Sequence, residues 1–342
     1  MKQETGAALG DETAASGSQA RTARPVISVV VATFRRPDRC IRLMNALAAQ
    51  TLPADDFEVI VVDDCSGDNT GDVLAGLVSE VPFRLRPLTT HANRGPGPAR
   101  NIGWNAAEAP VVAFTDDDCV PDPGWLAAGL DALDADPELG FVQGRTMPAD
   151  MDAVKSDRWT YSLNPLQADP HFETCNIFYR RQALAAGGGF GEDHNWWGGW
   201  YCEDTYAGWR AIDAGWSRGV VDTAVVIHDV GERSLRWWIN KSLMLYIEVA
   251  VARRHPGFRE EAFWRPWAPR RIDAAYAAAA AGLLLSLRWR PATLLAIPYV
   301  WWGRPPVRVP HFWRRCARTV AVDSARAAGI LYGSFRERII VI

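Results

Sequence analysis

The chain has 342 residues, 48% hydrophobic and 23% charged, with a formal net charge of −3. These proportions exclude disorder, collagen-like repeats and a disulfide scaffold for the body, and the length favours one large α/β domain with an appendage. The small net charge conceals a polarity: residues 1–230 carry 18 basic and 33 acidic groups, whereas residues 231–342 carry 19 and 7. That argues against nucleic-acid binding by the whole chain and directs its basic end, with eight of the sixteen tryptophans, toward an anionic surface.

Residues 1–24 are Ala, Gly, Ser, Thr, Glu and Gln without periodicity and read as a disordered leader. The six cysteines form neither a C-x-x-C pair nor a zinc-ligand spacing, and no apolar signal segment is expected near the start. Together these predict a reducing, cytosolic setting.

From residue 25 short apolar runs alternate with amphipathic stretches. Continuous β-branched runs predict buried parallel strands over 26–33 (VISVVVAT), 57–64 (FEVIVVDD) and 110–115 (PVVAFT), with a weaker strand over 83–88. Helices are predicted between them over 37–50, 70–78 and 98–107. Such β-then-α repeats give a mostly parallel sheet with helices on both faces, and ligands bind beyond the carboxyl ends of its strands. Residues 139–230 read as mixed, with strands over 141–146, 175–180 and 219–228, a helix over 203–214, and Gly/Trp loops at 187–189 and 196–200. The catalytic unit is therefore expected over 25–230, with 25–118 as a nucleotide-binding half and 119–230 as an acceptor half.

Beyond 230 the helices become basic and Trp-studded. Residues 274–287 carry no charge, Arg288, Trp289 and Arg290 interrupt, and 291–302 is again uncharged. Neither piece reaches the roughly 20 apolar residues of a spanning helix. A shallow hairpin or interfacial helices are expected over 231–342, holding the chain on the cytoplasmic face of the cell membrane against anionic lipid. The competing arrangement is a helical subdomain packed on the acidic body or on a second subunit.

Three carboxylates in a row, Asp116, Asp117 and Asp118, close the strand over 110–115. They repel one another unless a cation intervenes, and hard oxygen ligands shared with a diphosphate suit Mg2+ or Mn2+. A solvated strand-end loop is the alternative. Asp63 and Asp64 end another strand and serve equally as a turn or cap. Glu203 and Asp204 open a helix, where acids also complement the helix dipole. His228, ending a strand, is a candidate further ligand or a structural histidine.

The ordered motifs VISVVVATFRRPDR, FEVIVVDDCSGDNT, NRGPGPARNIGWN, VVAFTDDDCVPDPGWL, CNIFYRRQAL and CEDTYAGWRAIDAGW resemble those of the family 2 inverting glycosyltransferases with the GT-A fold, over about residues 26–230. The resemblance implies that Asp64 contacts a nucleobase with Thr33 and Arg35 nearby, and that Arg100 contacts the nucleotide. It implies a D-x-D pair in Asp116 and Asp118 flanking Asp117, the first toward the ribose or sugar and the second on the metal, with His228 as a further ligand. Asp204 matches the catalytic base, with Glu203 as the fallback. Trp197, Gly199 and Trp200 are expected on the acceptor side.

The implied reaction moves one sugar from a nucleoside-diphosphate donor to a glycan or lipid-linked acceptor. The Q-x-x-R-W signature of processive synthases is absent from the sequence. A nucleotidyltransferase would want glycine in the loop that here reads Phe34, Arg35, Arg36, Pro37. A degenerate membrane adaptor would not need Asp118 and Asp204.

Overall fold

The computed structural model describes residues 24–156, 160–162, 169–191, 201–303 and 312–342. The expected leader and the tryptophan loop with Trp197, Gly199 and Trp200 lie outside the described residues, the leader but for Arg24.

The first half is a run of β1 (Ile27–Thr33), α1 (Pro37–Ala48), β2 (Phe57–Asp63), α2 (Thr70–Leu77), β3 (Arg84–Thr89), α3 (Pro96–Ala106) and β4 (Val111–Thr115). Then come β5 (Cys119–Pro121), α4 (Trp125–Ala135), β6 (Leu139–Pro148), α5 (Met151–Ser156), β7 (Thr160–Tyr161), β8 (Asn176–Arg180), α6 (Arg181–Ala186), α7 (Glu203–Asp213) and β9 (Ser217–His228). The C-terminal part comprises β10 (Gly231–Glu232), α8 (Leu235–Leu243), α9 (Tyr246–Arg254), α10 (Pro256–Ala262), α11 (Arg271–Leu285), α12 (Ile297–Gly303) and α13 (Phe312–Glu337).

Eight strands form one sheet in the order β3-β2-β1-β4-β8-β6-β9-β5. The expected parallel pairing holds for β3, β2, β1 and β4, and again between β6 and β9. β8 runs antiparallel to both of its neighbours, and β5 runs antiparallel to β9. Strand β5 and helix α4 carry no expectation from the sequence reading; β5 is only three residues long.

The β-branched strands are buried on both faces because side chains alternate across the pleat. Val29, Val31, Val59 and Val61 pack with Leu43, Met44 and Leu47 of α1, Leu74 of α2 and Trp125 of α4. Val30, Ile60 and Val62 face the other way, into a cluster with Ala99 of α3, Phe114, Tyr179, Tyr206 and Trp209. Asn176, the first residue of β8, is buried within the sheet. Its side chain accepts from Trp125 Nε1 at 2.8 Å and donates to the carbonyls of Arg145 and Ala224, so a buried amide is satisfied.

The expected break at residue 230 is not a break in the core. Leu245, Ile247, Val249, Val251, Phe258, Ile330 and Val341 belong to the same buried cluster as Val30 and Phe114. Charge changes sign at 230, but the apolar faces of α9 and α13 remain part of one interior. What does stand apart is the α11–α12 region. Leu284, Leu287, Trp289 and Trp301 are 71%, 89%, 62% and 66% exposed there. No helix among the described residues is long and apolar enough to cross a membrane.

Candidate active site

The strand register sets the first part of the site. Thr33 of β1 pairs with Asp63 of β2, and β4, whose Phe114 pairs with Val30, ends at Thr115 on the other side of β1. The chain then turns sharply at each strand end. Arg35 and Cys65 are non-glycine residues with φ of 56° and 62°, and Cys202, before α7, has 63°. Left-handed backbone at non-glycine positions clusters where function requires a particular side-chain direction.

Several implied donor contacts are engaged within the chain. Asp64 is 3% exposed; it accepts from Thr90 Oγ1 at 2.9 Å and from the backbone N–H groups of Arg94 and Gly95 at 3.0 and 2.6 Å. It thus holds the loop that leads into α3. Arg35 turns aside, its backbone N–H and Nε donating to Ser66, because its left-handed backbone aims it across the β1–β2 loops. Thr33 and Asp117 bond to each other at 2.8 Å and are buried, so this pair fastens β1 to the turn after β4. None of these four lines the cleft described below. Arg36 does line it, and also donates to Asp117 Oδ1 at 2.6 Å. The sequence reading singled out its neighbour, since nothing local distinguishes two adjacent arginines.

Asp118 meets His228 through tertiary pairing. β5 and β9 pair with Cys119 opposite His228, and the Asp229 N–H donates to the Asp118 carbonyl. His228 Nε2 lies 3.5 Å from Asp118 Oδ1. Its Nδ1 donates to the Asp229 carbonyl at 2.7 Å, which orients the ring with Nε2 toward the carboxylate. Ligand atoms of Asp118, Cys119 and His228 all lie within 4.8 Å of one another. The Cys119 thiol contacts Cys175, which lowers its pKa, but burial and the Asp116 and Asp118 charges outweigh that and hold it protonated. The fitting donors for a hard divalent cation are therefore a carboxylate oxygen and an imidazole nitrogen. The other Asp118 oxygen accepts from Arg39 at 2.9 Å.

The acidic pair at the start of α7 sits across from the triple. Buried Arg100 bridges them, donating to Asp116 Oδ1 at 2.8 Å and to Glu203 Oε1 at 3.0 Å. Burial opposes its charge, yet Asp116, Glu203 and Asp204 outweigh it and raise its pKa. Arg100 is thus a clamp between strand end and helix, as well as a cleft-lining group. Gly97 permits this approach: a Cβ there would lie 3.3 Å from the Glu203 side chain and 3.2 Å from the Gly191 carbonyl.

Asp204 is the carboxylate left for chemistry. Its Oδ1 accepts from the Thr205 N–H at 2.7 Å, and the ion pair with Arg100 belongs to Glu203. Burial, followed by the like charges of Glu203 and Glu173, pushes Asp204 up to about 8.

Arg100, Asp116, Glu203 and Asp204 line a cleft of about 730 Å³. Its other wall comes from β7, the 169–174 stretch, Tyr201 ahead of α7, and α8: Tyr161, His171, Glu173, Tyr201, Trp237 and Lys241. The sequence reading missed these residues. The available signal was Ser234, whose side chain caps α8 by accepting from the Trp237 N–H at 3.2 Å. Behind the wall, Tyr201 Oη donates to Glu248 Oε1 at 2.6 Å, and His171 Nε2 lies 3.8 Å from the same oxygen. Burial opposes ionisation of Glu248, but His171, Arg270 and the Tyr201 hydroxyl pull its pKa down to about 2. His171 is shifted well above its ordinary value; burial works against this, and Asp169 and Glu248 prevail.

The family model described as Glycosyl transferase family 2 matches residues 28–198. Among curated relatives, the glycosyltransferase AglE of Haloferax volcanii is 28% identical over 201 residues, 56% of this chain and 63% of that protein. The validoxylamine A glucosyltransferase of Streptomyces hygroscopicus subsp. jinggangensis is 28% identical over 273 residues, 70% of this chain and 63% of the relative. The chain therefore spans less than two thirds of the length of these relatives. Among solved structures, the mannosyltransferase PcManGT from Pyrobaculum calidifontis, in complex with GDP-Man and Mn2+, superposes with a TM-score of 0.60 at 23% identity, covering 89% of this chain and 87% of that one. That likeness is one of fold.

Proposed function

As the chain belongs to the family 2 glycosyltransferases, we propose that it transfers one sugar from a nucleoside-diphosphate donor to an acceptor hydroxyl with inversion. The observation that carries this is the facing of Asp116, clamped by Arg100, and Asp204 across one cleft. The acceptor oxygen attacks the anomeric carbon and its proton passes to Asp204. The bond from that carbon to the diphosphate oxygen breaks, and its electron pair leaves with the diphosphate. Arg36 and Arg100 provide fixed positive charge where negative charge develops. A divalent cation, Mg2+ or Mn2+, would be held by Asp118 and His228 and would neutralise the departing diphosphate.

The test is release of nucleoside diphosphate from a panel of nucleotide sugars with Mn2+. Asp204→Asn should lower transfer by about 10²–10⁴ while donor binding persists. If Asp204→Asn is active and Glu203→Gln is dead, the two roles are exchanged.

The same reading places the chain on the cytoplasmic face of an anionic membrane, where lipid-linked or cell-envelope glycans would supply acceptors. Support comes from the exposed apolar residues of 283–302, among them Leu287 and Trp301, beside Arg288 and Arg290. Flotation with liposomes tests it: binding should require anionic lipid and weaken in high salt. A full chain that ignores such liposomes overturns the attachment without touching the chemistry.

A further inference from the structure

The wall of the cleft built by the C-terminal segment carries cations for which the transfer step has no use. Lys241 is one of only three lysines in a chain with 34 arginines. It projects from α8 into the cleft lining, and its Nζ donates to Tyr161 Oη at 2.9 Å. That ammonium lies 4.1 Å from the Tyr161 ring centroid and 5.1 Å from that of Trp237. Arg233 addresses the same two rings, its Cζ 5.8 and 5.5 Å from their centroids. Its Nε is buried and has no hydrogen-bond partner. No carboxylate of the described residues comes within ion-pair distance of either cation. The nearby charges of Glu248, Glu173 and Asp204 act on Lys241 from further off, and burial still brings its pKa down to about 8.

Two cations sharing one pair of aromatic faces, both short of a counter-ion, are an unfavourable arrangement unless an anion joins them. The aromatic faces add a second requirement. Tyr161 and Trp237, with ring centroids 4.9 Å apart, offer the kind of apolar surface on which the C–H face of a sugar ring lies. Tyr161 is brought there by the pairing of β7 with β10, in which it faces Gly231. The base, Asp204, lines the same cleft.

We propose that this wall is the acceptor subsite and that it selects an anionic glycan, with a sugar ring on Tyr161 and Trp237 and its phosphate or carboxylate at Lys241, Arg233 adding positive charge at the same rings. The inference rests on the transferase reading and deepens it by naming the acceptor class. The donor diphosphate belongs at Arg36 and Arg100, so Lys241 discriminates acceptors and leaves the nucleotide alone.

The full chain is titrated with methyl glucoside 6-phosphate, methyl glucuronoside and neutral methyl glucoside, followed by tryptophan fluorescence. UDP and GDP are titrated in parallel with Mn2+. At least one anionic sugar should bind about tenfold more tightly than the neutral one. Preference for the phosphate or for the carboxylate identifies which group the acceptor carries. Lys241→Met should erase the preference and Lys241→Arg should largely restore it, with nucleotide affinity unchanged in both and folding checked by melting temperature. Equal binding of charged and neutral sugars, or no binding of any of the three, overturns the proposal. So does a loss of nucleotide affinity in Lys241→Met, which would assign the lysine to the donor. Failure of the wild-type chain to bind either nucleotide counts against the transferase reading alone.

Discussion

The two walls of the cleft are built on opposite electrostatic plans. On the strand-end side the charges are tied into ion pairs, Arg100 with Asp116 and Glu203 in the cleft lining, and Arg36 and Arg39 with Asp117 and Asp118, which leaves Asp204 as the α7 carboxylate outside them. On the other wall, Lys241 of α8, with Arg233 just ahead of that helix, faces aromatic rings instead of carboxylates. A wall braced by such pairs is already organised before any ligand arrives, which is what stabilising a developing charge demands. An incompletely paired wall gains most from a ligand that supplies the missing charge, which is what selection among acceptors demands.

The comparison can be broken first at the paired wall. Asp118→Ala should abolish transfer while the circular dichroism spectrum is retained, and excess EDTA should do the same to the wild type. Full activity in either condition would show that the Asp118–His228 pair has no part in the reaction.

A second, smaller effect concerns the base. With Asp204 pushed up to about 8, only about a tenth of it is ionised at pH 7. The pH profile of kcat/KM should therefore climb with pH and level off above about 8. The Asp204→Asn variant should lose that limb, and a wild-type profile flat between pH 6 and 9, in about that range, would remove Asp204 from the role.

The support behind the unpaired wall can be tested through stability. Glu248 has its folded pKa depressed to about 2 from 4.5, so its contribution is present above 4.5 and is lost as pH falls toward 2. His171 is raised well above 6.5, so its contribution is complete below 6.5 and fades as pH rises through the raised value. The pair should stabilise most between 4.5 and 6.5. His171→Asn takes one of two cations from buried Glu248, with Arg270 remaining, and also removes the partner of Asp169, so it should cost about 3 kcal/mol in denaturant unfolding. In that variant the acid limb of the stability profile should move toward the ordinary carboxylate range.

The smallest expected effect lies outside the cleft. Leu284→Ser with Leu287→Ser should change folding stability by no more than about 0.5 kcal/mol, since both side chains are exposed. The same double variant should reduce flotation with anionic liposomes. A large drop in melting temperature would instead mean that these leucines are covered by protein.

The parallel strands and their polar ends were legible because buried β-branched runs admit few alternatives. VISVVVAT, FEVIVVDD and PVVAFT each become a strand, and their carboxyl ends carry Thr33, Asp64 and the aspartate triple as expected. The pairing of Glu203 with Asp204 at a helix start was equally visible, being local in sequence. Which aspartates face the cleft was not. Asp64 and Asp117 have the same side chain as Asp116, and only the donors that fold around them decide that they hold loops together. The Asp118–His228 meeting depended on β5, three residues whose pairing with β9 has no local signature. Composition likewise marked 231–342 as one basic unit, yet α9 and α13 complete the main core while 283–302 remains exposed. Periodicity and residue type act over a few positions and so determine strands, helices and the end of the sheet where chemistry occurs. Charge partners and the far wall of the cleft arise from contacts between segments distant along the chain, and for those the packing of the whole fold decides.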